Sequence, residues 1–178
     1  DVQGENTSNT SSATTPTGVI YFGGSNTPSV QANDHNTISF CNIHGTSTGT
    51  PAIGVSARGE NSSVAAYNDS ITVSDNNIYD FFSASSASSG LKADAGNNAW
   101  TVSNNSFYQT APRVTTASNT HRGIWLTPNT GTINNTDAAN DTLTLGDGNL
   151  IADLSLTGGA NAIVGNGIAG VSISHVAI

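Results

Sequence analysis

The sequence predicts an all-β chain, a single-stranded parallel β-helix (solenoid) of about 30–36 residues per rung. Three observations carry this. A seven-residue frame starts at Thr37, Thr72, Thr101, Thr132 and Ser172, in steps of 35, 29, 31 and 40 residues. It reads hydroxyl, apolar, small polar, three mostly polar residues, apolar. A second phrase, glycine then apolar, keeps pace at Gly18-Val19, Gly54-Val55, Gly90-Leu91, Gly123-Ile124 and Gly167-Ile168. No stretch of useful length has helical periodicity. Two unrelated signals recurring at nearly one period are the signature of a repeat architecture.

Residues 1–17 are Ser, Thr and Asn with little apolar beyond Val2, and read as a polar flexible arm, a linker, or a strand added to a neighbour. The repeat domain runs over 18–178, clear over 18–138 and less regular over 139–178. Its first strand is Gly-Val-Ile-Tyr-Phe at 18–22, closed by Gly23-Gly24. A polar turn region containing Pro28 leads to the first frame copy. The next strand spans 52–57 and stops at Arg58-Gly59. The second frame copy runs on into Tyr79-Asp80-Phe81-Phe82. Residues 83–89 are Ser and Ala only and read as a loop before a strand at 91–94. The third copy lies within 100–109. Ile124-Trp125-Leu126 is a strand ended by Thr127-Pro128-Asn129. The fourth copy, 132–138, is the weakest. Thr142-Leu143-Thr144-Leu145 alternates after it, and the last copy fills 172–178.

The period dictates which residues stack. Ile38, Val73, Val102, Ile133 and Ile173 form one inward column, and Ile43, Ile78, Phe107, Ala138 and Ile178 a second. Each rung buries its apolar residues only against its neighbours. Asparagine at the bend tolerates the left-handed conformation of a sharp corner. In register, its amide bonds to the next rung as a ladder. Asn76 on Asn105 is the expected inner ladder, and Asn42 on Asn77 its neighbour. Cys41 holds the ladder position of the first copy and reads as a buried small residue.

Composition narrows function. Charged residues are 9% and the net charge is −8, so a phosphate backbone is repelled and nucleic acid is not an expected partner. No apolar run approaches the length of a membrane span. Met is absent and the chain opens on Asp1, which reads as a processed product or a piece of something longer. One cysteine gives no disulfide framework. Seven Asn-x-Ser/Thr acceptors (Asn6, Asn9, Asn61, Asn68, Asn104, Asn134 and Asn140) make N-glycosylation a candidate modification. With so few charges, they point to an extracellular or cell-surface location.

The phrases Asn36-Thr37-Ile38-Ser39, Ser70 through Tyr79, and Trp100 through Tyr108 resemble the repeats of right-handed parallel β-helix proteins, closest to the long secreted surface proteins of bacteria. The likeness covers roughly 18–138 and the last few residues. That family includes polysaccharide lyases, polygalacturonase-like hydrolases, phage tailspikes, adhesins and structural stalks, so the resemblance implies a fold more than a function. Right-handedness comes from the resemblance and from the usual crossover rule.

Catalytic signatures are poor. The polygalacturonase-like triplet is matched by Asn135-Thr136-Asp137, but that family's Asp-Asp pair and Gly-His-Gly have no counterpart. Asp75 with Asp80, or Asp69 with Asp94, are the carboxylate pairs whose spacing allows stacking; each reads as a turn former or solvated residue. Lys92 and Asp94 share a strand face, as an ion pair would. His35, His44, His121 and His175 lack metal-ligand spacing. Gly146-Asp147-Gly148-Asn149-Leu150 and 158–163 are similar to calcium-binding nonapeptide repeats but lack their regular aspartates, so calcium is the weakest of the candidates and no cofactor is expected. Tyr79, Phe81, Phe82 and Tyr108, just past the frame, are candidates for stacking sugar rings. Chemistry-bearing side chains are sparse, so the first expectation is a non-enzymatic structural or adhesive module that self-associates end to end. A carbohydrate-binding or polysaccharide-processing module is the second.

Overall fold

The computed structural model describes residues 1–10, 17–24, 33–46, 48–59, 66–94, 96–111, 113, 114, 116, 119 and 121–126, and the main chain of five further strands between 143 and 173. The chain there is mostly β-strand, without α-helix. Every strand pairing is parallel.

Three five-stranded sheets carry the fold. One contains β3 (Thr37–Ser39), β7 (Thr72–Ser74), β11 (Trp100–Ser103), β15 (Leu143–Leu145) and β19 (Val171–Ile173), in that order. The second contains β1 (Val2–Gln3), β4 (Asn42–His44), β8 (Asn77–Tyr79), β12 (Ser106–Tyr108) and β16 (Leu150–Ile151). The third contains β2 (Ile20–Gly23), β5 (Ile53–Arg58), β9 (Ser88–Ala93), β14 (His121–Leu126) and β18 (Asn161–Gly165). Two short pairs, β6 (Asn68–Asp69) with β10 (Asn97–Asn98) and β13 (Arg113–Val114) with β17 (Leu156–Thr157), complete the pairing. The chain visits the three large sheets in rotation, as β3, β4, β5, then β7, β8, β9.

Each frame copy splits into two strands at a corner. Thr37, Thr72 and Thr101 align, as do Ile38, Val73 and Val102, and Ser39, Ser74 and Ser103. The middle residue is buried and the hydroxyl residues on either side face outward. The residue that follows is left-handed in all three copies: Phe40 (φ 55°), Asp75 (φ 58°) and Asn104 (φ 53°). Asp and Asn adopt this conformation at little cost, whereas a bulky Phe does not. A second left-handed set, His35, Ser70 and Ala99, sits just before the frame. Ile43, Ile78 and Phe107 then align and are fully buried.

The glycine phrase belongs to the third sheet, and its period has a packing cause. A Cβ on Gly54 would lie 2.6 Å from Ile78 Cγ2, and one on Gly90 would lie 2.4 Å from Phe107 Cδ1. Only glycine lets the third sheet approach the second apolar column so closely, so the two phrases share one repeat because they pack on each other. Leu91, Val55 and Ile124 align beside them and enter the core with Trp100, whose ring meets Phe22 edge-on at 5.5 Å.

Several expectations need correction. Residues 132–138 lie outside the described residues, and the strand that pairs with β11 is Leu143–Leu145. Val102 is therefore followed by Leu145 and then Ile173, and Phe107 by Ile151 in place of Ala138. Thr142–Leu145 carries the same hydroxyl–apolar alternation as the frame, and its strand takes the place beside β11 that the sequence assigns to 132–138. Opposite Val55 stands Ile20, not Val19, so the first glycine phrase is one residue out of register. Gly167-Ile168 lies outside the described residues, and Asn161–Gly165 pairs with β14. Ser88 and Ser89 begin β9 and are buried, although a Ser/Ala run reads as loop. Residues 1–10 are not a free arm. Val2 and Gln3 pair with Ile43 and His44, and Asn6 accepts a hydrogen bond from the Ala52 amide.

Candidate functional site

Polar side chains concentrate in three asparagine ladders and three clusters. In the inner ladder, Asn76 Nδ2 donates to Asn105 Oδ1 at 2.9 Å and to the Ile38 carbonyl at 3.0 Å. Asn76 Oδ1 accepts the Cys41 amide, and Asn105 Nδ2 donates to the Val73 carbonyl. Both side chains are buried and committed to the corner. Cys41 stands at the end of this ladder, half-buried, its thiol donating to the Ser39 carbonyl at 3.2 Å. Asn77 Nδ2 donates to Asn42 Oδ1 at 2.9 Å on the exposed side. A third ladder, part-buried, lies in segments that read from the sequence as polar turns: Asn33 donates to Asn68 Oδ1 at 2.9 Å, and Asn68 to Asn97 Oδ1 at 3.1 Å. Its signal was present, since these residues recur four positions before Thr37, Thr72 and Thr101.

The first cluster is a column of rings. His44, Tyr79 and Tyr108 end three successive strands in register. His44 stacks on Tyr79 at 4.6 Å and Tyr79 on Tyr108 at 5.0 Å. Because β8 lies between its neighbours, Tyr79 has a ring against each face. A sugar stacks on a free ring face, which Tyr79 does not offer. Phe81 and Phe82 are 1% and 9% exposed and belong to the interior. Of the set Tyr79, Phe81, Phe82 and Tyr108, two members are core, Tyr79 is held between two rings, and Tyr108 packs one face on Tyr79. Beside the column, Asp80 accepts hydrogen bonds from the Thr110 amide and hydroxyl and from Arg113 Nη2 at 2.6 Å. Burial opposes its charge, but the Thr110 and Arg113 contacts outweigh that and hold the carboxyl below its ordinary range. Burial pushes both phenols up, with the Asp80 charge adding to it.

The second cluster is interior. Ser88 Oγ lies 2.6 Å from His121 Nδ1, and the imidazole stacks on Phe82. Burial, and then the Arg122 charge, push the His121 pKa down, which favours the neutral ring, and Ser88 and His121 share a hydrogen bond whose donor is set by the imidazole tautomer. Ser88 and His121 are 1% and 2% exposed, which bars a substrate from this hydroxyl–imidazole pair. The third cluster is ionic: Asp94 lies 3.5 Å from Lys92 Nζ and 3.7 Å from Arg58. Lys92 also donates to the Asn9 carbonyl and lies 4.6 Å over the Trp125 ring. One carboxylate of each suggested pair is engaged elsewhere, Asp80 by Arg113 and Asp94 by Lys92 and Arg58.

No family model, curated protein or solved structure matches the chain. The site must therefore be read from its own geometry. Among the described residues, no three His, Cys, Asp or Glu side chains gather to hold a metal ion. The glycine-rich segments at 146–149 and 158–160 lie outside the described residues. The sequons differ in access. Asn6 and Asn104 are exposed, Asn9 is half-buried, and Asn68 is buried within a ladder. Asn61, Asn134 and Asn140 lie outside the described residues.

Proposed function

We propose that the chain is a right-handed parallel β-helix whose role is structural: an extracellular module that builds a rigid stalk or adhesive surface by stacking end to end. One observation supports it above the others. The same Thr-apolar-Ser triplet repeats in register over three successive strands, backed by one buried and one part-buried asparagine ladder that join neighbouring repeats. Such an arrangement spends its polar groups on rung-to-rung contacts. Parallel strands also present edges that a further parallel strand can extend. Asp80 and Asp94 are engaged by Arg113, Lys92 and Arg58, and the Ser88–His121 pair is buried, so catalytic chemistry has little support. A polysaccharide-binding role loses its aromatic platform to the His44–Tyr79–Tyr108 column. The exposed acceptors Asn6 and Asn104 agree with a secreted setting.

Cryo-electron microscopy at several protein concentrations tests this reading. It expects filaments whose axial repeat is a multiple of about 4.8 Å, the separation of neighbouring strands. Discrete single-chain particles at every concentration would remove end-to-end stacking.

A further inference from the structure

The outward side of the first sheet has a property that stacking does not use. Thr37, Thr72 and Thr101 form one column, and Ser39, Ser74 and Ser103 form a second beside it. All six are exposed or half-buried, and no charged side chain stands among them. None of the six hydroxyls has a hydrogen-bond partner among the described residues. Several hydroxyls elsewhere are used: Thr46 and Thr48 bind Glu5, Thr110 binds Asp80, and Ser88 binds His121. The main-chain register continues with Thr144 opposite Thr101 and Ser172 opposite Thr144.

The spacing selects the ligand. Neighbouring strands lie about 4.8 Å apart and alternate residues of a strand about 6.7 Å apart, so the hydroxyls stand on a two-dimensional grid. A discrete ligand has no use for such a repeat. Tetrahedral water linked by O–H···O contacts of about 2.75 Å repeats at about 4.5 Å between next-nearest oxygens and about 7.3 Å along the stacking direction. The two grids agree within the tolerance of side-chain rotation. We propose that this face, made of Thr37, Thr72 and Thr101 with Ser39, Ser74 and Ser103, binds the surface of ice. Each hydroxyl both donates to and accepts from lattice water, and each threonine methyl sits over a gap between oxygens. An absence of charge matters, because an ion holds its own hydration shell in a geometry ice does not share. The parallel sheet holds the hydroxyls in place beforehand, so many weak contacts form together without an ordering cost for each. This inference needs only the register of the sheet and stands whether or not copies stack.

The test is partition of the purified chain into slowly growing polycrystalline ice, alongside inhibition of ice recrystallisation. Thr72→Lys places a charge at the centre of the grid, Thr72→Val removes one hydroxyl but keeps the methyl and strand preference, and Val114→Lys alters an exposed residue off this face. Melting temperatures establish that each variant is folded. The expected result is enrichment of the unmodified chain and of Val114→Lys in ice, with Thr72→Lys falling to the level of a non-binding protein and Thr72→Val in between. Exclusion of the unmodified chain from ice overturns the proposal. So does full retention of ice binding by folded Thr72→Lys. Capture on microcrystalline cellulose, lost in Thr72→Lys while ice leaves every form behind, would also overturn it and assign the face to a glycan.

Discussion

Asn76 and Asn105 meet amide to amide inside the corner, at 2.9 Å, and the same Asn105 oxygen also accepts the Asn76 main-chain N–H at 3.1 Å. One side chain therefore satisfies a main-chain donor of the neighbouring rung while its own amide donates to the Val73 carbonyl. The left-handed residue in front of each, Asp75 or Asn104, turns the chain so that the amide points inward.

Asn76→Ala should strip the Cys41 amide of its acceptor and the Ile38 carbonyl of a donor. Leaving buried polar groups unpaired costs about 1–3 kcal/mol each, so a loss of about 2–4 kcal/mol is expected. Asn77→Ala, one residue away on the exposed ladder, should cost under about 1 kcal/mol. Urea unfolding of both variants gives the comparison. Equal losses would mean that the inner ladder is no more than solvent-facing decoration.

Gly90→Ala should destabilise through overpacking, because its Cβ would lie 2.4 Å from Phe107 Cδ1 and 2.8 Å from the Gly123 carbonyl. A cost of about 1–3 kcal/mol is expected. Phe107→Leu alone should also destabilise, but the pair should lose less than the sum of the singles, since the smaller side chain makes room. A double-mutant cycle by thermal melting measures this coupling. Strict additivity would remove the contact between the two phrases as the reason for their common period.

Much of this is legible in the chain because strands aligned in register in parallel sheets repeat their local demands. The inward Ile38, Val73 and Val102 and the ladder asparagines were readable because an identical environment recurs at one spacing. The aromatics were not. Nothing local to Tyr79-Asp80-Phe81-Phe82 says which rings turn inward, since that depends on where the chain bends after β8. The column of rings needed His44, which the frame match treats as the residue after its last position. The Asn33–Asn68–Asn97 ladder escaped because it lies before the frame, in segments that read as polar turns. The pairing of β11 with Leu143–Leu145 is hidden in the sequence because the step from Thr101 to its partner Thr144 is 43 residues, against 35 and 29 for the two before it, and 132–138 matches the frame by residue type at the shorter spacing.

Phe40 should be replaceable at a gain. It is 83% exposed and left-handed at φ 55°, where Asp75 and Asn104 stand in the next two rungs. A left-handed conformation costs an ordinary side chain about 1–2 kcal/mol, and Asn escapes part of that. Phe40→Asn should therefore raise stability by roughly 1 kcal/mol. The exposed ring buries too little for its loss to offset this. A melting temperature that falls on substitution would instead assign Phe40 a packing role that its exposure does not suggest.

Acid should weaken the fold in two separable steps. His121 is held below its ordinary range by burial and by Arg122, so the unfolded chain takes up a proton near pH 6.5 while the folded chain resists. Its contribution is complete above about pH 6.5 and declines as pH falls below that value. Asp80 is also held low, so its contribution is complete above about pH 3.9 and is lost only as pH falls further, toward its folded-state value. His121→Gln keeps an acceptor within reach of Ser88 but cannot titrate. Between pH 7.5 and pH 5 its melting temperature should fall less than that of the unmodified chain, and Asp80→Asn should leave that interval unchanged while flattening the decline below pH 4. Identical pH profiles for His121→Gln and the unmodified chain would place the first acid step elsewhere, and would count against the buried Ser88–His121 contact as the group that opens first.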